Sequence, residues 1–155
     1  MPDIVDAATR SRMMAGIRGS NTRPEVAVRK ALHAQGFRYR LHPRDVPGKP
    51  DMVFPRHRAA VFVHGCFWHG HDCALFRLPG TRTEFWREKI ARNRARDETV
   101  RRQLAEQGWR SLVIWECALR GRNAPGLAGV IPDVTEWLRT PAQSREIRGG
   151  QNGAG

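Results

Sequence analysis

The strongest constraint on the fold is the order of an apolar run, a long polar helix and a second apolar run. Residues 58–63 and 109–115 have the composition of short strands. Between them, Thr83 can cap a helix that extends to about Gln107 and ends at Gly108. Strands joined by a helix pair in parallel within one sheet. We therefore predict an α/β fold in which strand 109–115, apolar throughout, is buried on both faces.

The other predicted elements flank this unit. Asp6 can cap a first helix that extends to about Gly16, and Pro24 begins a second helix that Gly36 ends. The remaining elements are strands at 37–41 and 51–54, the latter in a hairpin with 58–63, and a last helix around 131–138 with Pro132 in its first turn.

A chain of 155 residues and 17.6 kDa is long enough for one domain. We expect that domain to span residues 1–140, with residues 1–22 as an N-terminal arm. Residues 141–155 are rich in glycine and polar side chains and are expected to be a disordered tail. The sequence has no apolar run of bilayer length and no signal-peptide core, so we expect a cytoplasmic, nucleoid-associated protein without membrane contact.

Charge points to a polyanionic partner. The chain carries 27 Lys and Arg residues against 15 Asp and Glu, a net charge of +12, and all but three of the cations are arginine. The guanidinium fork suits bidentate contact with phosphate and guanine, which makes nucleic acid the leading partner. A solvated basic face, with arginine used for coding reasons, is the alternative.

All three cysteines belong to one candidate metal site. Cys66, His71 and Cys73 follow the pattern C-x4-H-x-C, and Cys117 comes just after the second apolar strand. Three thiolates and one imidazole suit tetrahedral zinc, and four protein ligands would make the site structural. His69 competes with His71 for the fourth position, and buried free thiols are the alternative to a metal.

Four further residues form a candidate phosphodiesterase set. Asp51 opens a strand, Glu25 begins a helix, and His64 and His69 follow the next strand. The Asp51 carboxylate can hold Mg²⁺, which polarises phosphate, while a neutral imidazole accepts a proton from water. Ordinary turn chemistry at Asp51 and a favourable helix-dipole contact at Glu25 are the alternatives.

Aromatic and basic side chains suggest a DNA surface. Phe67 and Trp68 are adjacent within the polar loop and could stack on bases, although core packing is an equal alternative. On the long helix, Trp86, Lys89 and Asn93 are spaced three and four apart and share one face. Lys89 and Asn93 could read base edges, and a set of arginines could meet phosphates: Arg87, Arg92, Arg94 and Arg96.

Taken together, five segments closely resemble the very short patch repair (Vsr) endonuclease family. The resemblance runs in unbroken order from about residue 8 to residue 137. The segments are ATRSRMMAGIRGSNTRPE at 8–25, PGKPD at 47–51, VFVHGCFWHGHDC at 61–73, TRTEFWREKIARN at 81–93 and GWRSLVIWECALRG at 108–121.

The resemblance implies a fold similar to restriction endonucleases of the PD-(D/E)XK type, with a mixed sheet flanked by helices and a structural zinc. It implies an endonuclease that finds a T:G mismatch left by 5-methylcytosine deamination. The enzyme would use Mg²⁺ to nick the strand on the 5′ side of the thymine and so initiate very short patch repair. The implied partners are double-stranded DNA, mismatch-repair proteins and a repair polymerase, and we expect the chain to act as a monomer.

The resemblance also implies roles for individual residues. Asp51 would bind Mg²⁺ with the backbone carbonyl of Val63, His69 would act on water with support from Glu25, and His64 would assist at the phosphate. The implied zinc ligands are Cys66, His71, Cys73 and Cys117. The implied wedges are Phe67, Trp68 and Trp86 in the major groove and Met14 in the minor groove, and the N-terminal arm over residues 1–22 would embrace the DNA.

Two departures from the family pattern are visible. Many relatives carry a hydroxyl residue where Val63 stands, which is tolerated if only the carbonyl meets the metal. Gly70 and Asp72 stand where relatives can have further histidines.

The chemistry of a T:G pair fits this interpretation, because its major-groove edge presents only acceptors to Lys89, whereas A·T presents an adenine amino donor. Two alternatives remain open. One is a restriction-type nuclease that cuts fully paired DNA, and the other is a non-catalytic zinc DNA-binding module.

Overall fold

The structure is a computed structural model that describes residues 22–121 and 123–149. The predicted helix at 6–16, most of the predicted arm and Met14 lie outside these residues.

A five-stranded mixed sheet forms the centre of the described part of the chain. Its strands lie in chain order, β1 to β5. Strands β1 to β3 pair antiparallel, whereas β3, β4 and β5 pair in parallel. The predicted hairpin and the predicted parallel crossover are therefore confirmed. The strands are β1 (Arg40–Leu41), β2 (Met52–Phe54), β3 (Ala59–His64), β4 (Arg110–Trp115) and β5 (Arg145–Ile147).

Four α-helices of the described residues accompany the sheet, with a 3₁₀ turn at Pro55–His57. They are α1 (Arg23–Ala34), α2 (Thr83–Glu106), α3 (Glu116–Leu119) and α4 (Gly126–Arg139). Helix α2 is the long crossover between β3 and β4. None of the helices in the described ranges is both long and apolar enough to cross a membrane.

Two predictions about helix starts were wrong. The N-cap position of α2 is Arg82, and Thr83 instead donates its hydroxyl to the carbonyl of Pro79 at 2.9 Å. Helix α4 begins right after Pro125, six residues before Pro132, so Pro132 lies inside the helix rather than in its first turn.

The sheet has two buried faces because successive strand residues point to opposite sides. Met52, Val61 and Leu112 belong to the larger core, which includes residues of α1 and α4. Val53, Phe62 and Val113 belong to the second core, which includes Leu104 of α2. Strand β4 is buried along five of its six residues, as predicted for a strand covered on both sides.

The tail prediction is corrected at residues 145–147. Strand β5 pairs in parallel with β4, with Ile147 opposite Ile114. The indole of Trp115 donates a hydrogen bond of 2.7 Å to Glu146, which fixes the strand further. Arg145 and Glu146 are exposed, so the strand has little apolar character by which the sequence could reveal it.

Candidate active site and metal centre

One end of the sheet carries the candidate catalytic residues. The carboxyl ends of β1 and β3 meet the amino end of β2 there, because β2 runs antiparallel to both neighbours. Asp51 comes immediately before β2, and His64 is the last residue of β3. A groove at this end is lined by the predicted catalytic residues Glu25, Asp51, His64 and His69, together with Val63, Phe67 and Trp68.

Asp51 is held against strand β3. The backbone amide of Val63 donates a hydrogen bond of 2.6 Å to Oδ2 of Asp51. Burial, together with the nearby charge of Glu25, nevertheless raises the pKa of Asp51 to about 7, since the amide only partly offsets desolvation. A carboxyl group in this state favours either a proton or a bound cation.

Glu25 is a buried carboxylate in the first turn of α1, with 1% of its surface exposed. Its Oε2 lies 2.6 Å from Nε2 of His42 and 3.2 Å from Nη1 of Arg29. The same His42 nitrogen is 4.0 Å from Oδ1 of Asp51. Glu25 begins a helix, as the dipole alternative requires, but its side chain contacts the residues of the groove.

The carboxylates fit a hard cation. Glu25, His42 and Asp51 each present a ligand atom, and these atoms lie within 4.8 Å of one another. Carboxylate oxygens are the ligands that Mg²⁺ prefers, and a cation here would relieve the repulsion between two close carboxylates. Asp51 and Glu25 would therefore hold the ion, next to the β3 segment that contains Val63.

A pair of stacked imidazoles forms the second part of the groove. The rings of His64 and His69 are 3.7 Å apart and nearly parallel, at 4°. Nδ1 of His69 lies 2.6 Å from Oδ2 of Asp97 on helix α2. Burial, with a smaller contribution from His69, holds the pKa of His64 well below its usual range. His64 is thus neutral at pH 7, and its Nδ1 is buried without a hydrogen-bond partner in the described part of the chain.

The three cysteines and His71 come together, as the sequence predicted. Their ligand atoms lie within 4.8 Å of one another. Nδ1 of His71 is 3.6 Å from Sγ of Cys66 and 3.5 Å from Sγ of Cys117. Tetrahedral zinc, with bonds of about 2.3 Å to sulfur and about 2.0 Å to nitrogen, separates such ligands by about 3.5 Å. The site fits zinc, and it contains His71 rather than His69.

The surroundings of this cluster orient its ligands. The ring of His71 stacks on Trp115 with centroids 3.9 Å apart, and the amide of Cys66 donates to Glu116 at 3.2 Å. The amide of Gly149 donates to Sγ of Cys117 at 3.2 Å. Burial raises the pKa of the Cys66 and Cys117 thiols, so a cation is needed to hold them as thiolates.

The predicted aromatic wedge is one connected group of rings. Phe67 and Trp86 have ring centroids 5.5 Å apart, and Trp68 and Trp86 are 5.7 Å apart. Phe67, Trp68 and Trp86 are half-buried, so each ring keeps a solvent-facing part and core packing describes them only in part. Phe85, which the sequence analysis did not single out, extends the group with 40% of its surface exposed.

The face of helix α2 that was predicted to read bases also contacts the loop that carries Trp68. The side-chain amide of Asn93 donates a hydrogen bond of 2.9 Å to the carbonyl of Trp68. Lys89 is half-buried on the same face, whereas Arg87, Arg92, Arg94 and Arg96 are exposed. Asn93 therefore uses an amide hydrogen within the protein, a contact that the sequence did not reveal.

Two groove residues escaped the sequence analysis, Asp97 and His42. Asp97 could have been found, since it lies one helical turn after Asn93 on the helix face that carries Trp86. His42 had no such signal. It adopts a left-handed backbone conformation, with φ of 48°, in a turn-rich segment.

The chain is basic and has an α/β fold, and its groove combines carboxylates, imidazoles and aromatic rings. These features together are typical of enzymes that process nucleic acids. The family described as DNA mismatch endonuclease Vsr matches residues 2–75. The DNA mismatch endonuclease Vsr of Escherichia coli (strain K12) is 43% identical over 147 residues, which cover 95% of this chain and 94% of that protein.

Relatives with other names match as well. The type II nicking enzyme V.XorIIP of Xanthomonas oryzae is 50% identical over 124 residues, 80% of this chain and 91% of that protein. The type II nicking enzyme V.NmeAIP of Neisseria meningitidis is 43% identical over 79% of this chain and 87% of its own length.

These matches confirm the resemblance: the chain belongs to the Vsr DNA mismatch endonuclease family. It is a DNA endonuclease of that family, and DNA is its partner. A non-catalytic DNA-binding module does not agree with this membership.

Proposed function

We propose that this chain nicks one strand of double-stranded DNA on the 5′ side of the thymine in a T:G mismatch and so initiates very short patch repair. The observation that carries the proposal is the shared groove, in which the Glu25 and Asp51 carboxylates, the His69 imidazole and the Phe67 and Trp68 rings lie along one surface. Catalytic groups and aromatic wedge residues on one surface can act together at a single distorted base step.

The carboxylates supply the cation site. Asp51 and Glu25, with the carbonyl of Val63, would hold Mg²⁺, which when bound polarises the phosphate and stabilises charge that develops in the transition state. The hydrogen bond from the Val63 amide keeps Asp51 against β3, so the carboxylate is oriented in advance.

His69 supplies the base. Its Nδ1 faces Asp97 at 2.6 Å, which fixes the tautomer with the proton on Nδ1 and leaves Nε2 as the acceptor. Nε2 takes a proton from water as the water oxygen bonds to phosphorus. The bond from phosphorus to the leaving sugar oxygen breaks, and that oxygen takes up a proton from solvent water. The stacked His64, which stays neutral, adds no positive charge that would oppose protonation of His69, and it would contact the phosphate.

The cysteine cluster supplies rigidity. Zinc on Cys66, His71, Cys73 and Cys117 would fix both ends of the segment that carries Phe67, Trp68 and His69. Asn93 fixes the middle of this segment through the Trp68 carbonyl. A loop held at three points can keep its rings at a fixed distance from the imidazole.

The aromatic rings and Lys89 supply recognition. Stacking beside a mismatch is already weakened, so inserting Phe67, Trp68 and Trp86 costs only a few kcal/mol there. Lys89, half-buried next to this group, would donate to the acceptors on the major-groove edge of T:G, and the exposed arginines of α2 would meet phosphates.

A second candidate is nicking at a fully paired sequence, favoured by the name "type II nicking enzyme" given to several relatives. One assay separates the two candidates. Duplexes that differ only at one position, as T:G, T:A or C:G, are incubated with the chain and Mg²⁺, and the cleaved bond is mapped on each labelled strand. Nicking only of T:G, 5′ to the thymine and absent in Asp51→Ala, supports the proposal. Equal nicking of the paired duplexes would contradict it.

A further inference from the structure

His42 lies in the groove beside the Glu25 and Asp51 carboxylates. It directly follows β1, and its backbone amide donates to the carbonyl of Asp51 at 3.4 Å, which extends the β1 and β2 pairing by one residue. Its φ of 48° lies in the left-handed region, which non-glycine residues seldom adopt. Such a conformation persists when surrounding contacts impose it, and it turns the ring of His42 toward the groove.

The ring of His42 links the two carboxylates. Nε2 lies 2.6 Å from Oε2 of Glu25 and 4.0 Å from Oδ1 of Asp51. The shorter distance is that of a strong hydrogen bond to a carboxylate. Nε2 therefore carries the ring hydrogen and donates a hydrogen bond to Glu25. His42 retains 23% of its side-chain exposure, whereas Glu25 retains 1%.

Two carboxylates this close repel each other, so attractive contacts are needed to keep the Glu25 side chain beside Asp51. The ring of His42, which donates the hydrogen bond to Glu25, reaches both carboxylates. Arg29, one turn further along α1, contacts the same Oε2 at 3.2 Å. His42 connects this carboxylate to the sheet, because its backbone belongs to the end of β1 and its ring reaches α1.

We propose that His42 is a positioning residue that fixes the Glu25 carboxylate beside Asp51, so that the two form one divalent-cation site. The proposal rests on the function proposed above, in which this site serves phosphodiester hydrolysis. His42 acts through Glu25 and does not itself touch the DNA.

The test compares three substitutions in the full-length chain. Gln can place an amide N–H near the position of Nε2, Asn is one methylene shorter and does not reach Glu25, and Leu has no donor. His33→Leu is the matched control, since His33 is an exposed histidine at the far end of α1. Binding of Mn²⁺ is measured by electron paramagnetic resonance without DNA, and the half-saturating Mg²⁺ concentration is measured in nicking assays.

We expect His42→Leu and His42→Asn to weaken Mn²⁺ binding and to raise the half-saturating Mg²⁺ concentration by roughly 10- to 100-fold, as for residues that orient metal ligands. His42→Gln should recover most of this loss, and saturating Mg²⁺ should restore the rate. A purely structural role would lower thermal stability without this Mg²⁺ dependence.

Unchanged Mn²⁺ binding in both His42→Leu and His42→Asn would overturn the proposal, and so would an equal loss in all three variants. Because Mn²⁺ binding is measured without DNA, it tests His42 even if the unaltered chain fails to nick T:G. That failure would overturn the proposed function instead. If His42→Leu does not fold, the contrast between Asn and Gln still decides.

Discussion

The imidazole of His69 and the carboxylate of Asp97 meet at 2.6 Å across the gap between the cysteine-rich loop and helix α2. The acid on the helix therefore orients the ring on the loop. An orienting acid matters to a base because it selects which ring nitrogen carries the proton.

Asp97→Asn should lower the rate of nicking by roughly 100-fold, because an amide can donate to Nδ1 and so favour the wrong tautomer. Binding to T:G duplex should stay within about threefold of the unaltered chain, a limit that single-turnover assays and filter binding can check. Glu98→Gln is the matched control, since Glu98 is an exposed neighbour that contacts only Arg101 among the described hydrogen bonds. Equal effects of the two substitutions would rule out the orienting role.

Metal analysis of the purified chain should return about one zinc ion per chain. Removing it with a chelator should lower the free energy of unfolding by at least about 3 kcal/mol, because the buried cysteines lose the cation that holds them together. Thermal denaturation before and after treatment measures the loss. Re-added Zn²⁺ should restore stability and Mg²⁺ should not, and a folded chain of unchanged stability without zinc would contradict the assignment.

Lys89→Ala should narrow the ratio of nicking rates on T:G and T:A duplexes, since guanine O6 on the mismatch edge accepts a hydrogen bond where the adenine of T:A presents an amino donor. Arg92→Ala, on the exposed face of the same helix, should instead weaken binding to both duplexes and reduce the salt-dependence slope by about 1. The two variants control for each other in a salt titration with both substrates. If Lys89→Ala leaves the ratio of nicking rates on T:G and T:A unchanged, α2 is not the element that recognises the mismatch.

His57 should make stability depend on pH. Burial, with a contribution from the nearby Arg110 guanidinium, lowers the pKa of His57. His57 in the unfolded chain therefore binds its proton at a higher pH than His57 in the folded chain. As the pH drops from about 7 through 6.5 toward the lower pKa of the folded state, protonation of the unfolded chain reduces the free energy of unfolding. His57→Gln should lose less stability than the unaltered chain between pH 7 and pH 5, as measured by urea denaturation. Parallel curves for the two proteins would contradict the prediction.

The sequence predicts the chemistry that only a few residue types can perform. Cys66, His71 and Cys73 stand out because two thiols and an imidazole are rare together on one polar loop. Cys117 is the remaining cysteine, and the structure puts all four residues side by side. The parallel pairing of β3 with β4 follows from the helix between them, which leaves few topologies open.

Residues whose types are common on protein surfaces were missed. Asp97 is one of many charged side chains on α2. Its spacing from Asn93 places it on the face that carries Trp86, but its contact with His69 depends on how the loop packs against the helix. His42 was missed because its position depends on a left-handed turn and on the pairing of β1 with β2, neither of which a short, exposed strand such as Arg40–Leu41 makes visible.

The hydrogen bond from Gly149 to the sulfur of Cys117 gives the last described residues a protective effect. They cover one side of the Cys117 sulfur, which would limit the access of oxidants to it, and Arg148 adds an ion pair with Asp72 at 2.8 Å. A chain truncated after Thr140 should therefore lose its metal sooner under oxidising conditions. The durability of the cysteine cluster would thus depend on β5 and the two residues after it, none of which is a candidate metal ligand.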